Sequence, residues 1–234
     1  MLRRQLLTAL KVTVVLTICF GVIYPLVVWA VSQVAFNYQA NGSMVKHDGQ
    51  VVGSSLIGQL FTDTQGRPLR RYFQPRPSDA GAGYDPTDSS ASNLGPLSPE
   101  LLAVCLPIPV LNKNGYPVID ARGNPVDRRN ANGGLECNPN TVPQRVLAYR
   151  ALNGLPPGAP VPVDAVTSSG SGLDPDISVA NALDQAPRVA AARNVALAEV
   201  VALIHAHTRN RPWGFLGENT VNVLDLNLAL DSLH

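Results

Sequence analysis

The chain has 234 residues, of which 45% are hydrophobic and only 15% charged, and its formal net charge is +1. That length suits one membrane segment and one compact domain, and the near-neutral balance gives no reason to expect nucleic acid as a partner. The three cysteines, Cys19, Cys105 and Cys137, form no C-x-x-C pair, so neither a zinc ribbon nor a thioredoxin-type motif is supported.

Residues 1–11 read as a short basic tail carrying Arg3, Arg4 and Lys11. Residues 12–36 are uncharged and about as long as the roughly 20 residues that cross a hydrocarbon core. A helix is the only single segment that satisfies its own backbone there. Pro25 removes one of its hydrogen bonds and is expected to kink it. The next cation is Lys46, so the positive-inside rule places the tail in the cytoplasm and residues 37–234 outside. A cleaved signal peptide has similar parts, but the apolar run exceeds its usual h-region of about 7–15 residues. The span holds no ionisable side chain between Val12 and Phe36. Intramembrane charges mark ion pathways, so in a transporter other subunits would carry the ion.

Beyond the span, residues 37–48 read as a polar linker and residues 51–61 as a strand, with Gly53 and Gly58 marking bends. A turn pattern of Asp or Asn, two residues, Gly, one residue, Pro and an aliphatic begins at Asp63, Asn112 and Asp120. It fits type I turns; alternate acidic ligands for calcium are missing. Residues 72–102 form a long Pro-, Gly- and Ser-rich loop, with Ser98 opening a short helix at Pro99. Cys105 and Cys137 bracket an Asn-, Gly- and Pro-rich hairpin insertion spanning about residues 104–141. Both cysteines lie on the oxidising side in this topology, which predicts a disulfide.

Residues 145–153 read as a short helix, 158–166 as extended chain, and Ser168, Ser169, Gly170, Ser171 and Gly172 as a tight loop. The two glycines permit backbone shapes that other residues resist, and Asp174 before Pro175 is biased to an extended, Asx-type turn. Asp176 or Ser178 is expected to cap a helix ending at Gln185, with Pro187 opening another that runs to His207 and is broken or bent near Asn194. Leu224, Leu226, Leu228 and Leu230 alternate with smaller or polar residues, which is strand periodicity, although the Leu and Ala content leaves a helix open. The fold class is therefore α+β: one N-terminal transmembrane helix followed by a single mixed extracytoplasmic domain.

No catalytic residue and no metal ligand emerges. Gly170-Ser171-Gly172 lacks G-x-S-x-G spacing, no G-x-x-x-x-G-K is present, and His205 and His207, two apart on a helix, diverge. The residues themselves lead to a membrane-anchored outer domain that works through protein contacts. The remaining alternatives are a periplasmic binding module unrelated to pumps and a nucleotide-binding subunit that uses the 168–172 loop.

Four ordered segments resemble the C subunit of the Kdp potassium-transporting P-type ATPase. They are Gly53-Ser54-x-Leu56-Ile57-Gly58-Gln59-x-Phe61; Arg76-Pro77-Ser78 with Tyr84-x-Pro86 and Ser92-Asn93-Leu94-Gly95-Pro96; Val166-Thr167-x-Ser169-Gly170-Ser171-Gly172-Leu173-Asp174-Pro175; and Gly214-Phe215-Leu216-Gly217 with Val221-Asn222-Val223-Leu224. Asp85 stands where the pattern has Asn, and residues 104–141 exceed the family's usual connection. The resemblance implies an accessory subunit in the bacterial inner membrane, partnered by A, B and F subunits and by lipid. The complex would use ATP, magnesium and potassium, none bound by this chain. The family is described as a catalytic chaperone that raises the B subunit's affinity for ATP. Loop 168–174 and the residues Arg76, Tyr84, Ser92 and Asn93 are the candidate contact surface.

Overall fold

The structure is a computed structural model that describes residues 2–233. It separates into two compact units, one ending at Ser54 and the other beginning at Ser55.

The first unit opens with α1 (Leu2–Ile18), a π-helical turn (Cys19–Ile23) and α2 (Tyr24–Ala35). Together these make one helix of 34 residues, roughly 50 Å long against a hydrocarbon core of about 30 Å. The expected tail is thus the first turns of the same helix, because residues 2–11 are good helix formers with no breaker among them. Pro25 stands in the first turn of α2. Its ring blocks the usual bond one turn back, and the helix absorbs the loss as a widened turn in which the Tyr24 N–H donates to the Cys19 carbonyl. No residue of the helix is buried.

The expected linker is ordered. After α3 (Asn37–Ala40), β1 (Met44–His47) and β2 (Gln50–Ser54) form an antiparallel hairpin. Asp48 and Gly49 turn it with φ of 49° and 78°, the left-handed pair that a two-residue hairpin loop requires. The Asp-Gly dipeptide was the available signal; the strand expected over 51–61 stops at Ser54 because Ser54 completes the pairing with Met44.

The second unit is mixed α/β. Its first helix is α4 (Pro99–Leu102), followed by α5 (Val142–Asn153), which Thr141 caps and Gly154 ends at φ 67°. Strand β3 (Asp176–Ser178) leads into α6 (Val179–Arg193), with Ser178 as the N-cap accepting from the Asn181 N–H. Pro187 does not break α6. It sits on the exposed face of the helix, between the buried Ala186 and Arg188. Asn194, at φ 55°, ends the helix. Then come α7 (Leu197–Ala206), β4 (Thr208–Arg209), β5 (Thr220–Asn222) and α8 (Val223–Asp231). The sheet order is β3-β5-β4, all antiparallel.

The strand expected over residues 221–230 is largely α8. Asn222 caps it through the Asp225 N–H, and Val223, Leu226, Asn227 and Leu230 share its buried face at helical spacing. The core gathers Ile177, Ala186, Val189, Val200, Ile204, Val221, Leu226 and Leu230 around Phe73.

Phe73 belongs to a strip, residues 70–74, that leaves a turn at Arg70 and Arg71 and joins no sheet. Its backbone is bonded by side chains instead. Gln185 receives the Gln74 N–H (2.8 Å) and donates to the Gln74 carbonyl (3.0 Å). Asn227 does the same for Phe73 (2.9 and 3.0 Å). Arg188 donates to the carbonyls of Arg70 (2.6 Å) and Tyr72 (2.9 Å), and Arg193 to that of Arg71 (2.7 Å). All four side chains are buried. Burial, with repulsion from Arg70, pulls the Arg188 guanidinium down to about 10, so it stays charged at neutral pH.

Residues 104–141 form a structure other than a single hairpin. In each predicted turn the leading Asp63, Asn112 or Asp120 carboxyl or amide oxygen accepts two backbone N–H groups, two and four residues on. Asn130 does the same without the proline. These turns bring Val110, Val118 and Val126 into a closed ring: Val118 donates to Val110, Val126 to Val118, and Val110 to Val126, at 2.7–2.8 Å. Ile108, Arg128 and Glu136 close a second ring at 2.7–3.1 Å. Cys105 and Cys137 are joined by a disulfide below it, with Cα atoms 4.9 Å apart. No residue from 106 to 140 is buried, so backbone bonds and the crosslink hold this segment.

Asn227→Ala removes both bonds to Phe73 and leaves a buried N–H and carbonyl unpaired, at about 1–3 kcal/mol each. Denaturant unfolding of the variant should show a loss of roughly 2–4 kcal/mol; a loss near zero would mean that water or a shifted partner replaces the side chain.

Candidate functional site

The strip continues past Gln74 into the long loop and carries Arg76 to the 168–174 segment. The Arg76 guanidinium bonds the Asp174 carboxylate at 2.8 Å and the carbonyls of Thr167 and Ser168 at 3.3 Å. Ser78 accepts the Tyr84 N–H (2.9 Å) and donates to the Gly172 carbonyl (2.6 Å). The Tyr84 hydroxyl donates to the Arg76 carbonyl at 2.8 Å. Burial, and then the nearby Asp174 charge, push the Tyr84 phenol above its usual range, so it stays a donor. Ser168 bonds the Asp79 carboxylate, which also faces Arg145 at 3.9 Å. Asp174 accepts the Asp176 N–H at 3.1 Å, the Asx turn expected there.

Close backbone approach explains two glycines. A Cβ on Gly58 would lie 2.3 Å from the Tyr84 ring, and the Gly58 N–H donates to the Leu173 carbonyl at 2.9 Å. Gly172 is buried with φ 69°, and a Cβ there would meet the Ser90 carbonyl at 2.5 Å. Gly170 differs: it is exposed, has nothing within 4 Å of its Cβ position, and needs no left-handed φ. The conformational demand expected of both loop glycines therefore falls on Gly172.

The structure thus gathers Arg76, Tyr84, Ser168, Gly172 and Asp174 into one network. Ser169, Gly170 and Ser171 form its outer tip. The Ser171 hydroxyl accepts the Leu173 N–H at 3.1 Å and lies 3.4 Å from Ser169, while the Ser171 carbonyl accepts from Ser89 and Ser90. Ser92 and Asn93 stay outside the network; their bonds run to Leu94 and Ala91. Asp85, the departure from the family pattern, holds Thr87 through its hydroxyl and its N–H, and those bonds keep the Asp85 carboxyl below the usual carboxylate range. Sequence reasoning missed Asp79 and Arg145, whose roles depend on contacts about 90 and 20 residues away along the chain.

A cleft of about 400 Å³ lies beside the network, lined in part by Asp164, Asp174, Asp176 and Glu218. Asp164 is engaged by Ser178 and Asn181, Asp174 by Arg76, and Glu218 by Arg211, while Asp176 accepts from Thr220 at Oδ2 and its buried Oδ1 has no hydrogen-bond partner. Among the described residues no group of three or more His, Cys, Asp or Glu side chains is arranged to hold a metal ion. The geometry shapes a rigid surface whose polar groups bond mainly to one another.

The family described as KdpC: K+-transporting ATPase, c chain matches residues 6–106 and 132–232. The unmatched gap falls inside the ringed insertion. The potassium-transporting ATPase KdpC subunit of Mycobacterium tuberculosis is 48% identical over 232 residues, covering 99% of this chain and all (100%) of that protein. The proteins of the same name from Caulobacter vibrioides (44%, covering 92% of this chain and 87% of that protein) and Kineococcus radiotolerans (44%, covering 99% and 95%) are similar as well.

Gly172→Ala should lower stability by at least about 2 kcal/mol, through strain and the clash with Ser90, while Gly170→Ala should change it by less than about 1 kcal/mol. Paired thermal or denaturant melts check this; equal effects at the two positions would contradict the assignment.

Proposed function

The chain belongs to the K+-transporting ATPase c-chain family, and from that premise we propose that it is a non-catalytic subunit that holds the potassium pump together. The carrying observation is a 34-residue apolar helix with no buried residue, joined in one chain to a unit whose most elaborate polar network bonds inward. The uncharged part of such a helix needs lipid or neighbouring helices around it.

In this reading the basic start of the helix lies in the cytoplasm and the unit beginning at Ser55 lies outside the inner membrane. Its partners are the channel-like A subunit, the ATPase B subunit, the small F subunit and lipid. ATP, magnesium and potassium are used by the complex and are not held by this chain. Any rise in the B subunit's affinity for ATP is then indirect, passed through packed membrane helices or through the first turns around Arg3 and Arg4. The π turn before Pro25 supports a transmembrane packing role, since it offers a local irregularity against which a partner helix can register.

A tagged chain purified in mild detergent should bring down potassium-stimulated ATPase activity, and protease added to intact spheroplasts should remove the second unit. Labelling of the isolated chain by a photoreactive ATP analogue, or protection of the second unit in spheroplasts, would contradict the reading.

A further inference from the structure

The ringed insertion is joined to the rest of the chain only narrowly. Among the described residues, every hydrogen bond and ion pair made by residues 107–136 ends within residues 106–138. The Asn138 N–H donates to the Leu106 carbonyl at 2.8 Å just outside the second ring, and the Cys105–Cys137 crosslink closes the same end. Beyond it the core side begins: Gln144 donates to the Val104 carbonyl, and the buried Thr141 caps α5. Both bridged cysteines are partly exposed.

We propose that the Cys105–Cys137 disulfide is a redox latch, whose reduction opens residues 106–136 into a flexible loop and leaves the core around Phe73 folded. The ring bonds and Asx turns lie where water can replace them, so each adds little net stability. Small hairpins that bury no apolar face are marginal in water, and every ordered residue loses backbone entropy. The disulfide offsets that loss by tying ends 32 residues apart in sequence, which removes conformations from the open chain. The core has no such dependence, because its strip is held by side chains of α6 and α8. The insertion is therefore a separate unit of local unfolding. The step is thiol–disulfide exchange with a small dithiol. Its thiolate attacks one cysteine sulfur to give a mixed disulfide, and its second thiolate displaces that cysteine. Two electrons and two protons pass to Cys105 and Cys137, which become thiols, and the dithiol leaves as a cyclic disulfide. Residues 107–131, which the family model leaves unmatched, lie wholly inside the latched loop, so the segments shared with the family keep their structure in both states.

Trypsin and amide exchange on the full chain in detergent read the two states. Lys113, Arg122, Arg128 and Arg129 lie within the loop. The oxidised chain should resist cleavage at these sites. Dithiothreitol followed by alkylation, or Cys105→Ser combined with Cys137→Ser, should open all of them. The Val110, Val118 and Val126 amides should exchange roughly a hundred-fold faster after reduction, while the Phe73 amide keeps its protection. Ring amides that stay protected once both thiols are alkylated overturn the latch. Loss of Phe73 protection in step with the ring amides overturns it too, because insertion and core would then be one cooperative unit. Cleavage of the oxidised chain at these sites as fast as the reduced one is a third result that overturns it.

Discussion

The packed core of the second unit is organised by four buried side chains that take the place of a neighbouring strand. Gln185, Arg188, Arg193 and Asn227 bond the backbone of residues 70–74, so that a segment outside any sheet is held at the core through Phe73. Buried backbone polar groups must be paired, and here the partners come from α6 and α8. The arrangement also fixes the helices. Gln185 bonds Asn181 and Arg188 one turn away on either side, Arg188 reaches Asn153 at the end of α5, and Arg193 reaches Asp231 at the end of α8. Tyr72 adds an apolar face: its ring lies 5.3 Å from that of Phe61 and 4.9 Å from the Arg193 guanidinium. A network of this kind is all-or-none, because each member left unpaired in low dielectric is costly.

From the strip the chain passes directly to Arg76, which is how a core constraint becomes a surface shape. Arg76 and Ser78 are presented to the 168–174 segment in a set position, and Gly58 and Gly172 allow the three stretches to approach within backbone contact. The result is a preorganised surface with its charges compensated inside the unit. Preorganisation lowers the ordering cost of association, which suits the contact role proposed for this chain.

Much of this was legible where a residue acts through its own neighbours in the chain. The apolar run announced the helix, the Asx and Gly positions announced the turns, and Ser178 marked a helix start by its local chemistry, whereas Ser98 precedes α4 without a side-chain cap bond. Reading failed where a distant partner decides. The leucines from 224 to 230 alternate like a strand, but Asn222 caps that stretch and Asn227 is needed facing Phe73, which only a helix provides. Pro187 looks like a boundary until burial shows that it faces outward. Gly170 and Gly172 look alike in sequence, and only the packing of Ser90 and Ala80 separates them. The insertion's turns were visible one by one, whereas the closed rings of backbone bonds arise from all of them together.

The central claim is that side chains of α6 and α8 give residues 70–74 the protection of a core strand. Amide hydrogen exchange of the intact chain tests it most directly. The account predicts that the Phe73 and Gln74 amides exchange as slowly as the interior of α6, opening only when the whole unit unfolds. Exchange at the pace of the exposed tip at Gly170 and Ser171 would contradict it.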